Sequence, residues 1–311
     1  MSQSRLSVLA LALLLLLGSA QSFAARRVAV LYADSSKHTM RTIAGLEWSL
    51  RGCNPPCSLI IHYLKTQDQA QVAVINDYKP ELLVTVGTTA TAFADRSFPS
   101  LPIVFAKVLN PIESGFITSW DKPGSHVTGA ALDIPVDQQI QRFAEILPGL
   151  KRIGVIYTKS TARLVAEARR AAAALGLQLV DIAIATSKEL PTAVDSLCHS
   201  VDGIWTVADE LLSSPQFIRH TLLETLRCGV PIMGFNQNFV ENGALFCLEA
   251  DYKFIGRQAG ELALQLLSGR ELASVKPTTP DVVYLYLNLK SGKLLNVNLS
   301  QELISVAKET Y

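Results

Sequence analysis

The sequence predicts an α/β protein of two Rossmann-like lobes, each built on a parallel, doubly wound sheet. Three observations lead there. Residues 26–35 read RRVAVLYADS and residues 151–160 read KRIGVIYTKS, so the chain opens twice in the same way. Each opening has two basic residues, an apolar run ending in Tyr, and then small polar residues. After each, apolar runs of strand length alternate with segments of helical periodicity, the signature of βαβ units. The apolar runs end in small polar residues, at the strand ends where open α/β sheets place ligands.

Each element has its own justification. Residues 26–33 form the first strand. A helix follows over 35–51, with Met40, Ile43, Ala44, Leu46, Trp48 and Leu50 on its apolar positions. Strand 58–64 leads to helix 68–78, which Lys79-Pro80 stops. Strand 82–86 ends in Gly87-Thr88-Thr89 ahead of helix 90–95. Strand 101–108 ends in Asn110-Pro111, and 127–132 is a further short strand. The second half repeats the order: strand 152–157, an Ala-rich helix 161–175 ended by Gly176, and strand 177–183. Helix 187–199 starts at Ser187, in a capping pattern that lacks its Glu. Strand 204–207 ends in Ala208-Asp209-Glu210, helix 214–227 carries Pro215 in its first turn, and strand 230–234 ends in Phe235-Asn236. A tail of strand 243–249, helix 254–267, the connector Pro277-Thr278-Thr279-Pro280 and strand 282–287 completes the chain.

At 311 residues, 49 % hydrophobic and 18 % charged, the chain is long enough for two cores and too apolar for disorder. Part of the apolar excess lies at the start: a short basic segment, the run 6–17, and Ser22-Phe23-Ala24 as a small-x-small site. This is the layout of a secretory signal peptide over residues 1–24, cleaved near Ala24. The run is shorter than the ~18–20 residues that span a bilayer. No Cys follows it closely, which argues against a lipid anchor. Removing residues 1–24 takes one basic residue, Arg5, from 28 that face 27 acidic ones, so the mature chain is formally neutral. With no basic run longer than two residues, nucleic acid is not an expected partner.

No phosphate loop, nucleophile elbow, H-E-x-x-H or paired C-x-x-C motif occurs, so neither an enzyme nor a cofactor is expected. The five histidines are scattered, and no metal site is expected. Cys53 and Cys57 flank a three-residue loop and suit a disulfide in an oxidising compartment; half of a metal site is the rival reading, which needs a second ligand cluster. Cys198, Cys228 and Cys247 sit in apolar contexts and read as small buried hydrophobes. Candidate ligand contacts are the polar strand ends. Thr88 and Thr89 start a helix and suit an anion, or merely cap it. Asp34 reads as a ligand acceptor or a helix cap, and Asn110 as a turn former or a cleft residue. Thr158 occupies the equivalent edge of the second lobe, Asp209 is placed to take an ammonium, and Asn236 offers donor and acceptor. Tyr32, Tyr157 and Phe235 could wall the site, whereas Trp205 reads as core.

These residues resemble a family. The run 102–115, PIVFAKVLNPIESG, is similar to the PIVF…[ND]-P…G segment of ABC-transporter substrate-binding proteins of the tryptophan/tyrosine-binding type. So are His126-Val127-Thr128-Gly129, residues 151–157, Gly243-Ala244-Leu245 with Asp251-Tyr252, and Gly256-Arg257-Gln258-Ala259-Gly260. The resemblance covers nearly all of residues 26–299 in one register. It implies a type I periplasmic binding fold, with a three-segment hinge crossing near 131–133, 249–251 and 283–286. The lobes would then be 26–132 plus 250–283, and 133–249 plus 284–311. It also implies a free, monomeric periplasmic receptor that closes on an amino acid or similar amphipathic metabolite and delivers it to the permease and ATPase of an ABC importer. A sensor that reports the same ligand to a signalling partner such as a sensor kinase is the alternative. By position, Asp34, Thr88, Thr89, Asn110, Thr158, Asp209 and Asn236 fall where that family lines its cleft. Asn110 and Asn236 stand where Asp is usual, and residues 158–164 replace an Asn/Ser-rich turn. Fewer carboxylates imply weaker holding of an ammonium.

Overall fold

The computed structural model describes residues 25–209 and 211–311; the expected signal peptide and Glu210 lie outside the described residues. The first sheet contains β1 (Arg26–Tyr32), β2 (Cys57–Tyr63), β3 (Leu82–Val86), β4 (Ile103–Val108) and β5 (Val127–Ala131), all parallel in the order β2-β1-β3-β4-β5. Its helices are α1 (Lys37–Leu50), α2 (Gln69–Tyr78) and α3 (Thr88–Ser97). The interior positions of β1 and all of β3 are buried. That is why these strands read as near-continuous apolar runs, with helices covering both faces.

The second sheet repeats this order and extends it. β6 (Arg152–Tyr157), β7 (Gln178–Ala183), β8 (Gly203–Trp205), β9 (Ile232–Gly234), β10 (Phe246–Ala250), β11 (Val283–Leu287) and β12 (Glu309–Thr310) run β12-β11-β10-β9-β8-β6-β7. All neighbours are parallel except β10 and β11. The helices, in chain order, are α4 (Val136–Ile146), α5 (Ala162–Ala174), α6 (Leu190–Cys198), α7 (Pro215–Arg227), α8 (Gln237–Glu241), α9 (Tyr252–Leu267), α10 (Leu289–Leu294) and α11 (Gln301–Val306). The sequence reading missed α4 and the short α8, α10 and α11. In α4, Val136, Ile140, Phe143 and Ile146 are buried at helical spacing, a pattern the sequence carried. A 3-10 turn over Ser187–Glu189 leads into α6, and its cap is Thr186, one residue earlier than expected. Thr186 and Glu189 form a complete capping box, so no Glu is missing.

α9 leaves the second sheet and lies on the first, against α1. The two helices meet backbone to backbone: a Cβ on Gly256 would lie 1.9 Å from the Thr42 carbonyl oxygen, and one on Gly45 1.9 Å from that of Lys253. The chain therefore passes between the sheets three times: after β5, at Asp251, and after Thr278. Thr278 still pairs with the first sheet, exchanging hydrogen bonds with Gly129 and Ala131 at 2.9 Å. Asp251 N–H donates to Val282 at 3.0 Å. The third crossing thus falls at 279–282, ahead of the expected 283–286, because those residues already form a strand of the second sheet.

Cys53 and Cys57 are bonded, with Cα atoms 5.5 Å apart. Cys198 and Cys228 are bonded as well, at 5.8 Å, which corrects their reading as small hydrophobes. α6 and α7 pack side by side, so the end of α6 and the C-cap of α7 come within disulfide reach. Cys247 is free and buried. A loop spanning 30 residues predicts about 3.5 kcal/mol of stabilisation from the chain-entropy model. Changing both Cys198 and Cys228 to Ser should lower the unfolding free energy by about that amount in urea titrations. Equal stability with and without the pair would show that the bridge does not form.

Candidate functional site

In both sheets the strand order reverses direction between the first strand and the third, and ligands of open α/β sheets bind at such switch points. In the first sheet the point lies between β1 and β3. Asp34 follows β1 and Gly87 follows β3; a Cβ on Gly87 would sit 3.9 Å from Asp34 Oδ2. Gly87, at φ 91, is the N-cap of α3 and makes no side-chain cap, so Thr88 and Thr89 occupy the first turn. Their N–H groups belong to the set that a helix leaves without an internal partner.

Asp34 is already engaged. Oδ1 accepts Ser36 N–H at 3.1 Å and the Thr39 hydroxyl at 2.7 Å, while Oδ2 accepts the Lys107 ammonium at 3.1 Å. Burial opposes ionisation, but the hydroxyls and the ammonium outweigh it and hold the carboxyl well below the usual range. Lys107 was not singled out in the sequence, although a lysine inside the apolar run of β4 was a visible signal. It sits at φ 59, where β4 shifts register between Ala106 and Val108.

The second switch point lies between β6 and β8, at Thr158 and Asp209. Asp209 is 7 % exposed. Its Oδ2 accepts the hydroxyls of Thr158 at 2.6 Å, Ser160 at 2.7 Å and Thr161 at 3.4 Å, and its Oδ1 accepts Leu211 N–H at 2.9 Å. Burial raises its pKa, and the Thr158 and Ser160 hydroxyls more than offset that, so the carboxyl stays below its ordinary value. Thr158, Ser160 and Asp209 line one open depression of about 600 Å3.

The carboxyl ends of the two sheets face each other. A cavity of about 90 Å3 is lined by Asn110 beyond β4, Asp133 beyond β5, Trp205 at the end of β8 and Phe235 beyond β9, with Leu109 and Leu248. Asn110 adopts the left-handed region, at φ 52. Its N–H donates to both oxygens of Asp133 at 3.1 and 3.0 Å, while its side-chain Oδ1 is buried with no partner. Burial pushes the Asp133 carboxyl up to about 7, against the Asn110 backbone N–H and with help from Glu113. Close enough to act on the Asp133 charge, Arg163 of α5 bonds Glu113 of the first lobe. Trp205 is both core and wall: it is 1 % exposed and donates Nε1–H to Gln139 at 2.9 Å.

Of the residues singled out in the sequence, Asn110 and Phe235 come together in this cavity. Asp34, Thr88 and Thr89 gather at the first switch point, and Thr158 and Asp209 at the second. Asn236 caps α8 by accepting Phe239 N–H at 3.0 Å and lines a separate groove beside α7. Tyr32 packs on Tyr63, with ring centroids 5.3 Å apart. Tyr157 lies by the Asp181 carboxylate, and burial together with that charge pushes its phenol up. Phe235 meets Phe239 edge-on at 5.2 Å. Asp133 and Gln139 were missed; an acid directly after the strand 127–132 was the available signal for the first. Among the described residues, no cluster of three or more His, Cys, Asp or Glu could hold a metal, and no helix is long and apolar enough to cross a membrane.

Known proteins resemble this chain in sequence and in fold. The tyrosine-binding protein of Clostridioides difficile is 29 % identical over 222 residues, 70 % of this chain and 64 % of its own length. The chain thus spans less than two thirds of that relative. A ligand-free, open substrate-binding protein with adhesive properties from Clostridium difficile superposes with a TM-score of 0.76 at 20 % identity, over 91 % of this chain and 98 % of its own. A Streptococcus pneumonia domain solved with L-Trp gives 0.66 at 21 % identity, over 93 % and 100 %. The fold is therefore that of type I periplasmic binding proteins. A family model described as ABC transporter substrate binding protein matches residues 63–311, and with four fifths of its length inside that match the chain belongs to this family of binding proteins rather than enzymes.

Proposed function

We propose that the protein is the periplasmic receptor of an ABC importer and captures a small amphipathic carboxylate, an amino acid or a similar metabolite, between its lobes. The supporting observation is the cavity at Asn110. Its Oδ1 is a buried acceptor without a partner, in a space walled by Trp205 and Phe235. An unmade buried hydrogen bond costs about 1–3 kcal/mol, and a ligand N–H or O–H would supply it. Hinge motion at the three crossings would close the lobes on the ligand. The closed form would then be the state offered to the permease and its ATPase.

The test is calorimetry and thermal shift against amino acids and their close relatives. At least one ligand should raise the melting point, because binding to the folded state alone stabilises it. Asn110→Gly keeps the left-handed backbone and removes the acceptor; it should weaken that ligand about tenfold. Unchanged affinity would move the site elsewhere.

A further inference from the structure

The carboxylates at the two switch points are engaged by the protein itself. Asp209 takes three hydroxyls and an amide. Asp133 accepts the single Asn110 N–H on both oxygens. Asp34 holds Lys107, whose ammonium also reaches Thr39 Oγ1 at 2.6 Å. The Lys107 side chain is 16 % exposed. It stands in a backbone region that favours glycine, at a register shift in β4, and such strain persists where the surroundings hold it in place. Two of its three ammonium hydrogens are used, which leaves one for another acceptor.

We infer that Lys107 is a built-in occupant of the cation position beside Asp34, so that the cleft prefers carboxylates lacking an α-ammonium to the parent amino acids. A ligand ammonium at the first switch point must displace Lys107 from Asp34 and meets its positive charge. A ligand carboxylate meets that charge favourably, beside the uncapped first turn of α3. This inference rests on the cleft reading above and narrows its ligand class.

The test is calorimetry with matched pairs: L-tyrosine and 3-(4-hydroxyphenyl)propionate, L-tryptophan and 3-(indol-3-yl)propionate, L-threonine and 3-hydroxybutyrate. In the unmodified protein, the member without the ammonium should bind about tenfold tighter or more in any pair that binds, the scale of a charge-assisted hydrogen bond. Lys107→Met should reverse the preference by freeing Asp34, and Lys107→Arg should keep it; thermal unfolding of both variants verifies the fold. An amino acid that binds the unmodified protein as tightly as its partner overturns the inference and leaves the cleft reading intact. A preference that survives Lys107→Met overturns the role of Lys107. Absence of binding by every probe to every variant removes the cleft reading, and the inference with it.

Discussion

Replacing Gly256 by alanine is expected to destabilise the protein by about 3 kcal/mol or more. The added methyl would lie 1.9 Å from the Thr42 carbonyl oxygen and 2.9 Å from Leu46 N. Both are backbone atoms of α1 that cannot rotate away. Overpacking usually costs about 1–3 kcal/mol; a clash with backbone belongs at the upper end, because only separation of α1 from α9 relieves it. Alanine gains up to about 1 kcal/mol over glycine in a helix, so the loss appears despite a favourable propensity. The reciprocal change, Gly45→Ala, meets Lys253 at the same 1.9 Å and should behave alike. Gly149→Ala, with nothing within 4 Å, is the control. The melting point should drop by roughly 5–10 °C for the first two and hardly move for the third. A Gly256→Ala protein as stable as the original would show that the helices do not cross this closely.

Asp133 should make stability depend on pH in the direction opposite to most carboxylates. In the unfolded chain it titrates near ~3.9, whereas in the folded protein burial pushes it up to about 7. Between these values the folded state keeps a proton that the unfolded state has lost, so stability falls as pH rises and levels off above the folded pKa. Roughly three pH units at ~1.4 kcal/mol each give a cost of about 4 kcal/mol at pH 8. Asp133→Asn removes the titration while keeping an acceptor for Asn110 N–H. Urea unfolding from pH 4.5 to 8 should therefore show the variant gaining on the original protein by about 2–4 kcal/mol as pH rises. Parallel pH profiles for the two proteins would refute the assignment. Because Asp133 lies on the first crossing between the sheets, the same titration bears on the segment about which the lobes would move.

The repeated opening at residues 26–35 and 151–160, and the apolar runs after it, were sufficient to read two α/β lobes from the sequence. Strands buried on both faces are apolar at nearly every position, and that pattern survives without any knowledge of their partners. Polar residues at strand ends were legible for the same reason, since they mark where burial stops. What those side chains bond to was not legible. The separation of 73 positions from Asp34 to Lys107, and of 51 from Thr158 to Asp209, disappears only when β3 seats itself between β1 and β4 and β6 lies next to β8. The pairing of Cys198 with Cys228 likewise needed α6 and α7 side by side. Periodicity within a segment is a local property, so the chain by itself determined its elements and their repeat. Which carboxylates stay free for a ligand depends on contacts between distant segments, and only the tertiary structure decided that.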